Sequence, residues 1–392
     1  MSGPVKTCPA TVPGWFLPLL LGVWGALIVA LAPSVLPGKY FADAVHVAEL
    51  TLSEANWREY GASYLYTARF YATLGLGGDA PAAAVAALGW LLSWGFMLHA
   101  LHVGSAGALC RVPLWLWAVA AVWSVPLAIY LGQYSKEVPA LLSLWAVFFL
   151  LGSARHGRVV TVLGWALAAV LIAGFALYFR IYWALVAGFA FVLWLVWRLR
   201  LGGWAALLGL LALFLLASWA SAEWRCHFLS GYRVVEQINR LDDPDSVTLI
   251  LNPWVNTSVF IDLFNSLVGW LRLMLPIELL AHAGPQHLAF ALWQWVSLGL
   301  FVWAVRGQRL LWGGAGWENG HPAGADRPRP LHALHTGGEQ ARAAAVVAWI
   351  IGFGLVQGAF EPDFGSFVRH EAVLAPLLLY LVQRRVTMRR WG

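Results

Sequence analysis

Charge is what this 392-residue sequence has least of: Asp, Glu, Lys and Arg together make up 11% of it, against about 25% in an ordinary soluble chain. Apolar side chains fill the deficit at 60%, where soluble domains carry about 45–50%. A water-soluble core cannot bury that excess, so a soluble globular enzyme is excluded. Disorder is excluded too, because it needs a chain poor in apolar residues. Cysteine is also scarce. Cys8, Cys110 and Cys226 lie far apart and form no CxxC or Cys/His cluster, giving neither a disulfide framework nor a zinc pattern. A glycine-rich phosphate loop, HExxH and GxSxG are all missing, which leaves nucleotide hydrolysis and zinc proteolysis unsupported. No internal repeat stands out.

What the chain has instead is long apolar runs, with 25 Trp and a mean hydropathy of +0.70. Runs near the ~20 residues that a spanning helix needs fall at 13–36, 81–103, 112–131, 138–154, 159–179, 181–197, 202–220, 287–305, 343–360 and 367–383. The fourth and sixth are short. The first ends in Ala30-Leu31-Ala32, which imitates a signal-peptidase site, but its apolar stretch is long for a signal and Pro33 follows, so it reads as a retained helix. A weaker run, 259–280, contains Asp262, Asn265, Arg272 and Glu278, too many polar groups for a lipid-facing span, and reads as re-entrant or interfacial. The expected fold is all-α: one integral membrane domain over 1–392, a polytopic transmembrane helix bundle of about ten spans with interfacial or re-entrant helices in its outer loops.

Charge sets the expected orientation. With both termini in the cytoplasm and sides alternating, the cytoplasmic pieces hold fifteen Lys and Arg against Glu318, Asp326 and Glu339. The other side holds ten basic and sixteen acidic residues. That is the positive-inside pattern, and it explains the basic balance without nucleic acid as a partner. Three long connections remain: 37–80 and 221–286 outside, and 306–342 inside. The inner one, with Gly313-Gly314, Pro322, Pro328, Pro330 and Gly337-Gly338, reads as a flexible linker. In the first outer loop, Ser53 to Leu76 suits an amphipathic helix on the surface, with Tyr60, Tyr64, Leu65, Ala68, Phe70 and Tyr71 among Arg58, Glu59 and Arg69. In the second, Val234 to Leu241 is helix-like and precedes Asp242-Asp243-Pro244-Asp245.

Positive charges belong inside, so those at outer membrane edges need a reason. Four stand out: Lys136 in YSKE (134–137), Arg180 in FRIYW (179–183), Arg272, and Arg369 in EPDFGSFVRHE (361–371). Converging at one boundary they would bind an anionic headgroup, since Arg grips phosphate oxygens in a planar fork. Each alone also fits a snorkelling side chain or a local ion pair, as for Lys136 with Glu137. The last segment packs Glu361, Asp363, Arg369, His370 and Glu371 into eleven residues. Pro362 and Gly365 bar a regular helix through its first half, so a turn should lead into a helix near Ser366. Carboxylates and a histidine beside a cation offer a general acid or base; a capped helix start is the plainer alternative. Asp43, with His46 and Glu49, follows the first span, as a possible catalytic carboxylate or a solvated loop acid.

Taken together, SYLYTARFYATLGL (63–76), YSKE, FRIYW and EPDFGSFVRH (361–370) resemble segments of multi-span proteins from bacterial capsule and exopolysaccharide clusters. Those proteins are grouped with O-antigen and capsular polysaccharide polymerases (Wzy-type, EpsG-like). The resemblance covers most of the chain in topology but rests on four short segments. Related ligases carry an outer His–Gly motif that this chain lacks. The resemblance implies polymerisation of polyprenyl-diphosphate-linked oligosaccharide repeat units on the outer face of the bacterial cytoplasmic membrane, with the lipid bilayer and a chain-length regulator as partners. It implies that Arg180 and Arg369 hold the diphosphate, assisted by Lys136 and Arg272, and that His370, Glu361, Asp363 or Glu371 takes the acceptor proton. Glu137, Tyr182, Asp43 and Arg69 would complete the substrate site, with Trp57, Tyr64 and Tyr71 available to stack on sugars. No metal or other cofactor is expected, because the arginines supply the positive charge.

Two rival readings stay open. A GT-C type glycosyltransferase using polyprenyl-phosphate sugars would transfer a single sugar and rely on Asp43 as base. A transporter of lipid-linked glycan would carry charges midway along broken helices, where this sequence has few.

Overall fold

The computed structural model describes residues 13–78, 80–152, 158–239, 248–281, 284–306 and 332–391. Residues 307–331 of the expected linker, Asp242-Asp243-Pro244-Asp245 and Cys8 lie outside the described residues. In chain order the helices are α1 (Phe16–Val35), α2 (Ala42–Leu52), α3 (Trp57–Tyr60), α4 (Ala62–Thr73), α5 (Ala82–Gly104), α6 (Leu114–Leu131) and α7 (Glu137–Leu151). Next come α8 (Arg158–Tyr178), α9 (Tyr182–Arg198), α10 (Gly203–Arg225), α11 (Gly231–Ile238) and α12 (Val259–Met274). The last are α13 (Glu278–Ala281), α14 (Pro285–Arg306), α15 (His332–Phe360), α16 (Phe364–Ala372) and α17 (Ala375–Trp391). Among the described residues there is no strand; one isolated bridge pairs Leu249 with Asp363.

The protein is therefore an all-helical, multi-pass membrane protein. Among the described residues seven helices are long and apolar enough to cross a bilayer: α1, α5, α6, α8, α10, α14 and α15 from Gly338. The expected count of about ten is not met by length alone. Helices α7 and α9 are apolar but have 15 and 17 residues, or about 22 and 25 Å at ~1.5 Å per residue, short of a ~30 Å hydrocarbon core. The tenth run is broken, with α16 and α17 meeting at a 60° bend. Helix α15 starts at His332, so the end of the expected linker is helical.

Two compact units divide the chain, Met1–Leu142 with Arg369–Gly392, and Ser143–Val368. In the first, α1 packs on α5 and α6, and α17 packs on α5 and α6. Tryptophan indoles tie helix to helix: Trp90 and Trp94 donate to the Gly22 and Pro18 carbonyls at 2.9 and 3.0 Å, and Trp24 donates to Ala121 at 3.0 Å. Small residues allow this approach. A Cβ on Gly25 would sit 2.0 Å from the Trp90 ring, and one on Gly89 would sit 1.7 Å from the Leu131 carbonyl oxygen. Helix α4 lies on α2, burying Leu65, Ala68 and Tyr71; of the helix expected over Ser53 to Leu76, the stretch Ala62–Thr73 is continuous, and Gly61, at φ 92°, separates it from the one-turn α3.

In the second unit α15 packs on α9 and α12, and α10 packs on α9 and α12. Helix α12, inside the run expected to be re-entrant or interfacial, is amphipathic the reverse of a soluble helix. It buries Asp262, Asn265, Ser266 and Gly269 and exposes Phe260, Phe264, Leu267 and Leu271. An apolar face turned outward from a polar inner face suits a bilayer boundary, where exposing leucine costs nothing and an unpaired carboxylate costs a great deal.

Candidate functional site

A cluster of ionisable groups forms in the first unit from three parts of the chain. Asp43 stands in the first turn of α2, where a negative charge is favoured by the helix dipole. Lys136 ends the connection from α6, and Glu137 begins α7. Arg369 and His370 come from α16. Arg369 Nη1 lies 2.5 Å from Asp43 Oδ2, and Lys136 Nζ lies 3.7 Å from the same oxygen. The other carboxylate oxygen, Oδ1, accepts the Tyr64 hydroxyl at 2.7 Å. Glu137 Oε1 stands 3.5 Å from Arg369 Nε and 3.6 Å from His370 Nε2. The Lys136 ammonium sits 3.6 Å from the centroid of the Tyr64 ring, a cation–π contact.

Access to the cluster is uneven. The Asp43 side chain is 30% exposed and that of Glu137 is 1% exposed. Burial by itself would raise the Asp43 carboxyl; Arg369, Lys136 and the Tyr64 hydrogen bond outweigh it and hold the group well below the ordinary carboxylate range.

The local fold explains the placement. Gly132, Gln133, Tyr134 and Ser135 form a short connection that carries Lys136 and Glu137, and the first loop pins it. The fully buried Tyr71 hydroxyl donates to the Gln133 and Ser135 carbonyls at 3.3 and 3.2 Å and accepts the Ser135 N–H at 3.1 Å. Tyr134 donates to the Leu76 carbonyl at 2.7 Å, and Gln133 reaches the Tyr40 carbonyl at 3.2 Å. Ser135 Oγ accepts the Glu137 N–H at 3.0 Å, a local turn that starts α7. On α2 and α3, His46 stacks on Tyr60 at 4.4 Å, and Tyr60 donates to Glu49 at 2.8 Å.

Of the candidates read from the sequence, Asp43, Lys136, Glu137, Arg369 and His370 thus meet in one cluster. Arg69, in the same unit, is held instead by the exposed Glu54 through two 2.7 Å hydrogen bonds. Glu371 follows His370 on α16 in the same unit, while Arg180, Tyr182, Arg272, Glu361 and Asp363 belong to the second. Arg180 Nη1 donates to the Tyr182 hydroxyl at 3.0 Å, and Tyr182 stacks on Phe360 at 5.5 Å. Arg272 donates to the Leu251 carbonyl at 2.7 Å, and Glu278 fills its fork, with Oε1 2.5 Å from Nε and Oε2 2.6 Å from Nη2. Asp363 caps α16, accepting the Ser366 N–H at 2.8 Å, while the Ser366 hydroxyl donates to Glu361 at 2.5 Å. The turn at 361–363 is held by the Ile250 N–H on the Pro362 carbonyl at 2.8 Å.

The second unit also holds a buried polar network around Arg233, which the sequence reading passed over. Fully buried Asp262 accepts Ser218 Oγ at 2.5 Å, Ser230 Oγ at 2.5 Å and Ser230 N–H at 2.9 Å. Arg233, also fully buried, donates to the carbonyls of Gly358 at 2.6 Å and Asn265 at 3.1 Å, and to Asn252 Oδ1. Burial, with Arg272 nearby, pushes Arg233 down to about 10 against the pull of Asp262 and Glu361. Its guanidinium fits because Gly269 has no side chain: a Cβ there would stand 2.1 Å from Nη1. The only sequence signal for the network was the polar content of the 259–280 run.

Chemically, the first-unit cluster pairs a partly accessible carboxylate with two cations that suit phosphate oxygens, and backs them with a buried carboxylate and an imidazole. Among the described residues no group of three or more His, Cys, Asp or Glu is arranged to hold a metal ion. No protein-family model, curated protein or solved structure matches the chain.

Proposed function

We propose that this chain is a membrane glycosyltransferase that moves a sugar from a polyprenyl-phosphate-linked donor to an acceptor hydroxyl, with Asp43 as base. One observation carries the reading: a carboxylate and two cations, drawn from residues 43, 136 and 369, converge at the end of a bundle of apolar helices. In the reaction the bond between the anomeric carbon and the phosphate oxygen breaks, and its electron pair leaves with the phosphate. The acceptor oxygen bonds the anomeric carbon, and its proton passes to Asp43. Arg369 and Lys136 stabilise the negative charge that develops on the leaving phosphate, and Glu137 and His370 brace Arg369 from behind. Tyr64 orients Asp43 through its hydroxyl.

The same reading gives the topology. With α7, α9 and the bent α16–α17 pair as further crossings, the helices number ten and match the ten apolar runs. Both termini then lie in the cytoplasm and the cluster faces outward from a bacterial cytoplasmic membrane, the arrangement favoured by the basic residues. A second reading, polymerisation of polyprenyl-diphosphate-linked repeat units, is favoured by the meeting of the YSKE and VRHE segments, two of those that carry the resemblance to capsule and O-antigen polymerases.

The test is mass spectrometry of polyprenyl-linked glycans from a host carrying Asp43→Asn. Loss of a general base lowers the rate by about 10²–10⁴-fold, so glycans one sugar short are expected to accumulate. Accumulation of one complete repeat unit without longer chains would favour polymerisation instead. An unchanged profile with normal expression overturns both.

A further inference from the structure

We propose that the donor's phosphate takes Arg369 and Lys136 over from Asp43, so that the base is released only once donor is bound; this rests on the glycosyl-transfer reading above. Without donor, both cations converge on one carboxylate oxygen, at 2.5 and 3.7 Å, while the other oxygen accepts Tyr64. A carboxylate so engaged is a poor proton acceptor, because every contact favours its charged form.

The geometry offers a route to free it without dismantling the site. Arg369 is shared between two carboxylates on different edges, Asp43 at Nη1 and Glu137 at Nε. Glu137 is sealed off and Asp43 is partly open. An incoming phosphate therefore displaces Asp43, while Glu137 keeps the guanidinium in place. Lys136 is likewise retained when it gives up Asp43, since its ammonium rests on the Tyr64 ring.

Charge balance then favours proton transfer at the right moment. Lys136 and Arg369 offset Asp43 and Glu137. A phosphodiester adds one negative charge, and a proton on Asp43 removes one. Phosphate binding and Asp43 protonation thus reinforce each other, and by linkage each strengthens the other by the same factor. The groups facing Asp43 are Tyr64 from α4, Lys136 from the α6–α7 connection and Arg369 from α16. His46 lies one turn along α2, and Glu137, His370 and Tyr130 bear on Arg369.

The experiment is calorimetric titration of the full chain in detergent with methyl farnesyl phosphate, a diester with one fixed charge, in two buffers of different ionisation enthalpy. Wild type is expected to take up a fraction of a proton per ligand near pH 5 and close to none at pH 7 to 8, where the released carboxylate stays ionised and ready to take the acceptor's proton. Asp43→Asn is expected to bind about tenfold tighter, a coupling of ordinary size, and to take up none. Wild-type binding without proton uptake near pH 5 overturns the exchange and leaves the glycosyl-transfer reading standing, as does weaker binding by a folded Asp43→Asn. No binding by wild type overturns both. The wild-type proton count needs no variant, so the test holds even where Asp43→Asn folds poorly.

Discussion

At the scale of single residues, the cluster was half legible in the sequence. Lys136 and Arg369 drew notice because a cation at the outer edge of an apolar run is unfavourable without a partner. Asp43 was marked only by its place after the first span, a weak sign because one acid in a polar loop is ordinary, and only packing shows that Arg369 reaches it from 326 residues away. Arg233 was illegible for the same reason, since a polar loop conceals which of its charges is buried. The Asp43 carboxyl is held below its reference value of 3.8. A group lowered in this way stabilises the fold fully above its unfolded value and loses that contribution as pH falls through the folded value. The stability gap between wild type and Asp43→Asn, about 1–2 kcal/mol for a partly exposed pair, should therefore be flat above about pH 5 and narrow below about pH 4. Thermal unfolding in detergent across that range checks it. Arg369→Lys keeps a charge but not the fork that spans Asp43 and Glu137, so activity should fall to near that of Arg369→Ala, about 10²–10³-fold below wild type.

At the scale of elements, the apolar runs predicted where helices lie, because ten stretches of that hydropathy have no other stable form in a bilayer. They also showed which are short, the fourth and sixth runs, where α7 and α9 stop at Leu151 and Arg198; they did not show the 60° bend between α16 and α17. The polar content of α12 showed that it is no ordinary span, but its inward-facing Asp262 and Asn265 depend on partners supplied from α10 and the loops. The four-residue connection before Lys136 depends on Tyr71. Tyr71→Phe removes three hydrogen bonds from that backbone and should cost about 1–3 kcal/mol. Its effect on turnover should be larger than stability explains, because the segment it slackens carries Lys136 and Glu137. Measuring the melting temperature and turnover on one preparation separates the two. Gly25→Leu should destabilise the α1–α5 contact, since its Cβ alone would overlap the Trp90 ring; Gly14→Leu, in open space, is the control.

At the scale of the whole molecule, orientation is the property that the distribution of charge addresses best. Basic residues crowd one set of loops, the pattern expected of cytoplasmic loops, and the proposed orientation rests on it. The consequence is testable in intact cells. In a background with Cys8, Cys110 and Cys226 replaced by serine, a membrane-impermeant maleimide should label Val45→Cys, which is exposed on α2 beside Asp43. It should label Arg389→Cys, near the end of α17, only after permeabilisation. The reverse pattern would turn the cluster toward the cytoplasm and remove the outer-face reaction.

The 326-residue interval between Asp43 and Arg369 also has a meaning in time. At about 5–20 residues per second, a ribosome needs about 16–65 s to reach the arginine after making the aspartate. For that interval Asp43 has Tyr64 and, once it is made, Lys136, but not the arginine. The segment that closes the charge cluster is therefore made long after the loop it closes on. A chain cut short before α16 leaves Asp43 and Glu137 without the arginine that bridges them.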